Sequence, residues 1–241
     1  KIKLIDTFNL IESARQIKAP QEVEDIRKAI SITASAFRFL RGFLRPGRSE
    51  LEVVGELERF IRLQGAERCA FEIIAASGLN SSYPHAPVST RIIGPREPLL
   101  IDIGVEVNGY KSDLTRVFFL DKITQAQRKI YKIIQEAQRL AIEAVRPGRQ
   151  ISDIDRAARA HIARSGYGRY FGHSLGHGTG LEVHEEPSIS AKNKSPLKEG
   201  MVFTIEPGIY LPGKFGIRLE DMVLVTKKGV EVLSGAIDKS I

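Results

Sequence analysis

The chain is written twice. Arg45-Pro46-Gly47-Arg48 returns as Arg146-Pro147-Gly148-Arg149, with a long amphipathic pattern before each copy and a shorter one after it. Downstream, Pro84-His85 is answered by Val183-His184, Ile101-Asp102-Ile103-Gly104 by Ile205-Glu206-Pro207-Gly208, and Ser112-Asp113-Leu114 by Arg218-Leu219-Glu220. Each half supplies one histidine and two carboxylates in the same order. Halves packed about a pseudo-twofold axis would bring four acids and their histidines to one central point, where a pair of metal ions would sit. Because the acids are shared between the halves, the 241 residues read as one domain with ample apolar content, 42%, for its core.

Local signals repeat with the motifs. Residues 20 to 44 carry apolar side chains at helical spacing, among them Val23, Ile26, Ile30, Ala36 and Leu40, until Pro46-Gly47 stops the pattern. A capping box, Ser49 to Glu52, opens a second helix that runs to about Gly65. Phe71 to Ala76 reads as a strand, and the Gly-, Asn-, Ser- and Pro-rich stretch 77 to 87 puts His85 on a loop. Leu99 to Val105 and Tyr110 to Phe119 read as a hairpin through Asn108-Gly109, with Asp102 and Asp113 on its strands. The second half predicts helices from Thr124 to Val145 and Ser152 to about Ser165, a glycine-rich loop, then strands Met201 to Ile205 and Gly216 to Val225. Helices first and antiparallel strands after, in each half, give an α+β fold.

Composition narrows the class. Cys69 stands alone, so neither a disulfide framework nor a thiolate metal site is available, and it reads as a small buried apolar residue. No apolar run is long enough for a membrane span and no signal-peptide layout is present, so the expectation is a cytoplasmic protein without membrane contact. The net charge of +7 comes from Lys and Arg interleaved with acids, as in Glu22-Val23-Glu24-Asp25-Ile26-Arg27-Lys28; this is a solvated face rather than a nucleic-acid footprint.

Four carboxylates in one place repel, and such a cluster survives when cations neutralise it. Two divalent ions carry the matching charge, and carboxylate and imidazole donors without thiolate suit Mn, Co, Fe or Zn rather than copper(I). The segment from Phe171 to Glu185 holds His173, His177 and His184; its glycines do not form a nucleotide-binding fingerprint and instead let backbone pass close to metal and substrate. His161 lies in an amphipathic helix and reads as a surface residue.

Ile101-Asp102-Ile103-Gly104, Ser112-Asp113-Leu114-Thr115-Arg116, Gly176-His177-Gly178, Thr204-Ile205-Glu206-Pro207-Gly208 and Gly216-Ile217-Arg218-Leu219-Glu220-Asp221 together resemble the dinuclear metallopeptidases of the pita-bread fold. The resemblance spans residue 20 to the C-terminus. Asn108-Gly109-Tyr110, Pro84-His85-Ala86 and Arg218 favour the Xaa-Pro branch, prolidase and aminopeptidase P, over methionine aminopeptidase. It implies that Asp102 chelates one ion, His177 and Glu206 hold the other, and Asp113 and Glu220 bridge them. Two such ions share a water whose pKa falls toward neutrality. The resemblance makes Glu206 general base and proton shuttle, sets His85 and His184 beside the scissile bond, and offers His173 and Arg218 for substrate binding or support of the acids.

The expected reaction is hydrolysis of the bond after an N-terminal residue in small peptides with proline second, by a protein that can form a homodimer. Residues 1 to 19 are expected to be the linker from a missing N-terminal domain, and 20 to 241 the catalytic domain. Two alternatives stay open: a methionine or broader aminopeptidase, and a non-catalytic binding module of the same fold. The full set of five ligands argues against the second and against metal-free, creatinase-like chemistry.

Overall fold

The repeat in the sequence is a repeat in space. The computed structural model describes residue 7 and residues 9–239. Helix α1 (Leu10–Arg15) precedes α2 (Pro20–Phe43) and α3 (Glu50–Leu63). Strands β1 (Arg68–Cys69), β2 (Ile74–Ser77), β3 (Pro98–Ile103), β4 (Val105–Val107), β5 (Tyr110–Lys111) and β6 (Leu114–Phe119) complete the first half. The second half runs α4 (Gln125–Ala144), α5 (Ile151–Arg164), β7 (Gly176–Gly178), β8 (Glu185–Ile189), β9 (Val202–Ile205), β10 (Gly208–Leu211), β11 (Phe215–Arg218), β12 (Asp221–Thr226) and β13 (Gly229–Val232). The antiparallel sheet β2-β3-β6 of the first half matches β7-β9-β12 within the five-stranded sheet of the second.

Matching turns make matching bonds. Gly47 and Gly148 take left-handed φ values of 94° and 80°, which glycine adopts without a side-chain penalty. Their amides donate to the carbonyls of Ile93 and Leu197, whose own amides return bonds to Arg48 and Arg149. The predicted capping box forms, with Ser49 Oγ accepting from the Glu52 amide and Glu52 from that of Ser49, and Thr124 and Gln127 make a matching one at the start of α4.

Each half buries its helices on its own sheet. Ile26, Ile30, Phe37 and Leu40 of α2 join Val53, Leu57 and Ile61 of α3 against Ile101 and Ile103 of β3; Ile130 and Ile134 of α4 join Ile154 and Ile162 of α5 against Phe203, Ile205 and Val223. Alternation along a strand sends neighbours to opposite faces. Leu99, Ile101 and Ile103 therefore serve the first core, whereas Leu100 reaches the second. Asp102, two residues from Leu100, shares that inner face.

Three strand expectations change in detail. The strand expected from Phe71 begins at Ile74. The hairpin divides into β3 paired with β6 and β4 paired with β5 around Asn108-Gly109, both with positive φ as a tight hairpin requires. A Cβ on Gly104 would collide with the Ser112 carbonyl, which is why the division falls there. Gly216 to Val225 is two strands in different sheets, β11 beside β10 and β12 beside β9, because the chain turns at Leu219-Glu220 to aim an acid inward. The residues expected to form a linker include α1, and Ile17 bridges to Met201. Among the described residues no helix is long and apolar enough to cross a membrane.

Candidate metal centre

Five side chains from both halves meet between the sheets. Asp102 stands in β3, Asp113 one residue before β6, His177 in β7, Glu206 one residue after β9, and Glu220 between β11 and β12. One ligand atom from each of Asp102, Asp113 and Glu220 lies within 4.8 Å of the others; the same holds for His177, Glu206 and Glu220, and for Asp113, His177 and His184. The groups overlap. Asp113, His177 and Glu220 each belong to two of them, so the three groups form one continuous cluster of donors.

The donor set fits cations. His177 Nδ1 lies 3.1 Å from the Gly178 carbonyl, which can only accept, so that nitrogen carries the proton. The Nε2 lone pair then faces Asp113 Oδ2 and Glu206 Oε1, each at 3.4 Å. Three acceptors aimed at one point repel unless a proton or a cation lies between them, and a backbone carbonyl fixing the far nitrogen is the usual support of a ligating imidazole. Burial pushes the His177 imidazole down to about 4, with His184 adding to it, so the ring is neutral and open to a metal at pH 7. Asp102 Oδ1 is buried without a hydrogen-bond partner, a donor atom that an ion would satisfy.

Electrostatics agree. Burial holds the Asp113 and Glu220 carboxyls well above their ordinary range, and Glu220, Asp102 and Glu206 raise Asp113 further. Burial pushes Glu206 up to about 8. The one guanidinium in the cluster, Arg218, offsets a single negative charge among four acids. Without added positive charge these groups keep protons that metal ions would displace.

Arg218 is fully engaged. Its Nη2 donates to Asp102 Oδ2 at 2.7 Å, its Nε to Thr115 Oγ1 at 3.0 Å, and its Nη1 to the Pro84 carbonyl at 3.0 Å and Tyr210 Oη at 2.8 Å. Thr115 Oγ1 in turn donates to Glu220 Oε2 at 2.6 Å, and Thr204 Oγ1 approaches Glu206 Oε1 at 3.3 Å while accepting from the His177 amide. A further chain leads from Tyr210 Oη to His173 Nε2 at 3.1 Å, with His173 Nδ1 donating to Ser174 O at 2.8 Å. Both nitrogens of His173 are thus in use, and burial pushes that imidazole down to about 4.

The acids lie in a cleft of about 900 Å³ that His85, His173, His184 and Arg218 also line, together with Leu51, Val54, Phe71 and Val88. The His184 ring centroid is 4.1 Å from that of His177. Burial and the neighbouring His85 lower the His184 pKa. His85 itself is exposed on its loop and belongs to none of the tight ligand groups. His161 lies on α5, half-buried and outside the cleft.

Several supporting residues escape a reading of the sequence. Thr115, Thr204 and Tyr210 touch the acids or Arg218. Glu50, wholly buried at the start of α3, accepts from the Ser77 amide and hydroxyl, the Asn80 amide group and Ser89 Oγ, and so pins the loop that carries His85. The two threonines left one signal, since each lies in a strand two positions from an acid at that strand's end, the spacing of residues on one face. Glu50 left none, because its partners lie beyond the reach of helix periodicity.

Comparison with known proteins agrees with this geometry. Residues 24–227 match Metallopeptidase family M24. An Xaa-Pro dipeptidase of Pyrococcus furiosus is 43% identical over 97% of this chain and 67% of its own length; an uncharacterized peptidase of Bacillus subtilis is 40% identical over 94% and 64%. The chain thus spans about two thirds of the length of the curated relatives it matches. Among solved structures, an X-Pro aminopeptidase from Thermotoga maritima superposes with a TM-score of 0.96 at 40% identity, covering 99% of this chain and 68% of that one. The prolidase from Pyrococcus furiosus gives 0.93 at 43% identity, covering 95% and 68%. With the pita-bread architecture, the acid-rich centre and the match over most of its length, the chain belongs to metallopeptidase family M24.

Proposed function

We propose that the protein hydrolyses the peptide bond after the N-terminal residue of small peptides that carry proline second. The overlapping ligand groups, linked through Asp113, His177 and Glu220, carry the reading. The Xaa-Pro preference is supported by the 43% identity to the Xaa-Pro dipeptidase of Pyrococcus furiosus and the match to the X-Pro aminopeptidase of Thermotoga maritima. Asp102, Asp113, His177, Glu206 and Glu220 would hold two divalent ions, with Mn, Co, Fe and Zn the metals suited to oxygen and imidazole donors. When bound, the ions supply a water acidic enough to attack at neutral pH and polarise the scissile carbonyl.

The chain's own residues do the rest. Glu206, ionised once metal displaces its proton, takes a proton from the attacking water as the new C–O bond forms. The tetrahedral carbon then expels the proline nitrogen, which cannot leave as an anion; Glu206 returns the proton as the C–N bond breaks. His184, a neutral imidazole at pH 7, donates a hydrogen bond to the developing oxyanion, and His85 faces the same cleft from the loop pinned by Glu50. Arg218 holds Asp102 and Thr115 in place, and with its nitrogens engaged it serves the acids rather than a substrate carboxylate. His173 orients through Tyr210.

Xaa-Pro dipeptides, Xaa-Pro-Xaa tripeptides and Met-Ala-Ser offered to metal-reconstituted protein test the reading. Turnover of the proline peptides with little cleavage of Met-Ala-Ser supports it; the reverse preference moves the chain to a methionine or broader aminopeptidase.

A further inference from the structure

His184 makes no hydrogen bond of its own among the described residues, so apart from its ring contact with His177 the backbone around it sets its place. That backbone is held by a carboxylate one position away. Glu185 receives Lys18 Nζ on Oε1 at 2.6 Å and Arg15 Nη2 on Oε2 at 2.6 Å, so each oxygen takes one cation from the segment preceding α2. The Lys18 side chain is 1% exposed and that of Glu185 8%. Arg15 Nη1 also reaches Glu182 at 3.4 Å.

The segment that brings these cations is itself fastened. The Lys18 amide donates to the Gly200 carbonyl at 2.9 Å and Ile17 bridges to Met201, next to the start of β9. The loop accommodates the clamp through Gly180, where a Cβ would meet Glu185 Oε1 and Lys18 Cε. From the other side, the Lys111 amide donates to the Gly180 carbonyl at 2.9 Å and Lys111 Nζ to that of Leu181. Residues 180–185 are thus gripped between the interhelical segment and the β4-β5 hairpin.

We propose that Lys18 and Arg15 are positioning residues for the reaction, clamping Glu185 and thereby fixing where His184 stands over the metal centre. This rests on the proposed function for its kinetic consequence, though not for its geometry. Removing the Lys18 ammonium leaves a buried carboxylate short of a partner, and the loop must open to hydrate it. His184 moves with the loop. A displacement of about 1 Å in a catalytic group can cost up to about a hundredfold in rate.

The test uses the full chain, metal-loaded, as parent, Lys18→Ala, Lys18→Arg and Glu185→Gln. Amide hydrogen exchange, bound metal, and kcat and KM on an Xaa-Pro dipeptide are measured on the same preparations. Lys18→Ala and Glu185→Gln should speed exchange at least about tenfold in residues 180–186 and leave α3 and α5 unchanged. Both should keep their metal and lose about ten- to a hundredfold in kcat, with KM shifting less than about threefold. Lys18→Arg should restore both exchange and kcat. Parent-like exchange in 180–186, faster exchange throughout the molecule, or a kcat loss that follows metal loss would each overturn the proposal. A parent without peptidase activity would sink the functional reading alone, since exchange and metal content still judge the clamp.

Discussion

Arg218 and Asp102, one from each half of the molecule, form an ion pair at 2.7 Å that leaves the other Asp102 oxygen buried and unpartnered. The guanidinium sets the direction of the carboxylate, and the spare oxygen points the acid toward a cation. Because the same Arg218 reaches Thr115, Tyr210 and the backbone beside His85, its loss disturbs several site residues together. Arg218→Ala should weaken metal binding by about ten- to a hundredfold, as losses of outer support for metal ligands do. Arg218→Lys should recover little of it, because one ammonium cannot reproduce the planar fork. Calorimetric metal titration of the three proteins checks this; parent-like affinity in Arg218→Ala would contradict it.

Asp113 belongs to two ligand groups. Asp113→Ala should reduce bound metal to one ion or none and lower kcat at least about a thousandfold, the scale of losing a principal electrostatic contribution. Elemental analysis with steady-state kinetics decides. Two retained metals and near-normal turnover would make Asp113 a strand residue only.

The histidines separate binding from chemistry. His177→Ala should weaken metal binding first, whereas His184→Ala should keep both metals and lose about a hundredfold or more in kcat. Metal content and kcat measured together reveal any reversal: a site emptied by His184→Ala and left filled by His177→Ala exchanges the two roles.

Metal-free protein should show an unusual pH dependence. Glu206 is pushed up to about 8 from an ordinary value of 4.5, and Asp113 and Glu220 move in the same direction. A carboxyl whose folded pKa is raised contributes stability that is present below its unfolded pKa and lost as pH rises through the folded one. Between about pH 4.5 and 8 the chelated parent should therefore lose thermal stability relative to Glu206→Gln, which has no such proton to release. Melting curves of both proteins across that window check it; a constant difference between them would contradict it.

Much of this site was legible because its residues repeat. The paired Arg-Pro-Gly-Arg turns, the two capping boxes and Asn108-Gly109 act within a few residues, so local chemistry announces them. Asp102 with Asp113 and Glu206 with Glu220 were visible as mirrored acids. The break at Leu219-Glu220 was not, because the β-formers from Gly216 to Val225 do not tell which neighbour each will pair with. Long-range partners were equally hidden. Thr115 bonds Arg218, Glu50 gathers Ser77, Asn80 and Ser89, and Lys18 meets Glu185. Each is an ordinary polar residue until the fold supplies its partner.

Whether two ions drive the reaction is read from metal titration into chelated protein, followed as turnover of an Xaa-Pro dipeptide against equivalents of Mn(II) or Co(II). Turnover should be absent without metal and should rise to saturate at two equivalents, with elemental analysis of the saturated protein matching that number. Full turnover in protein shown to be metal-free would contradict it.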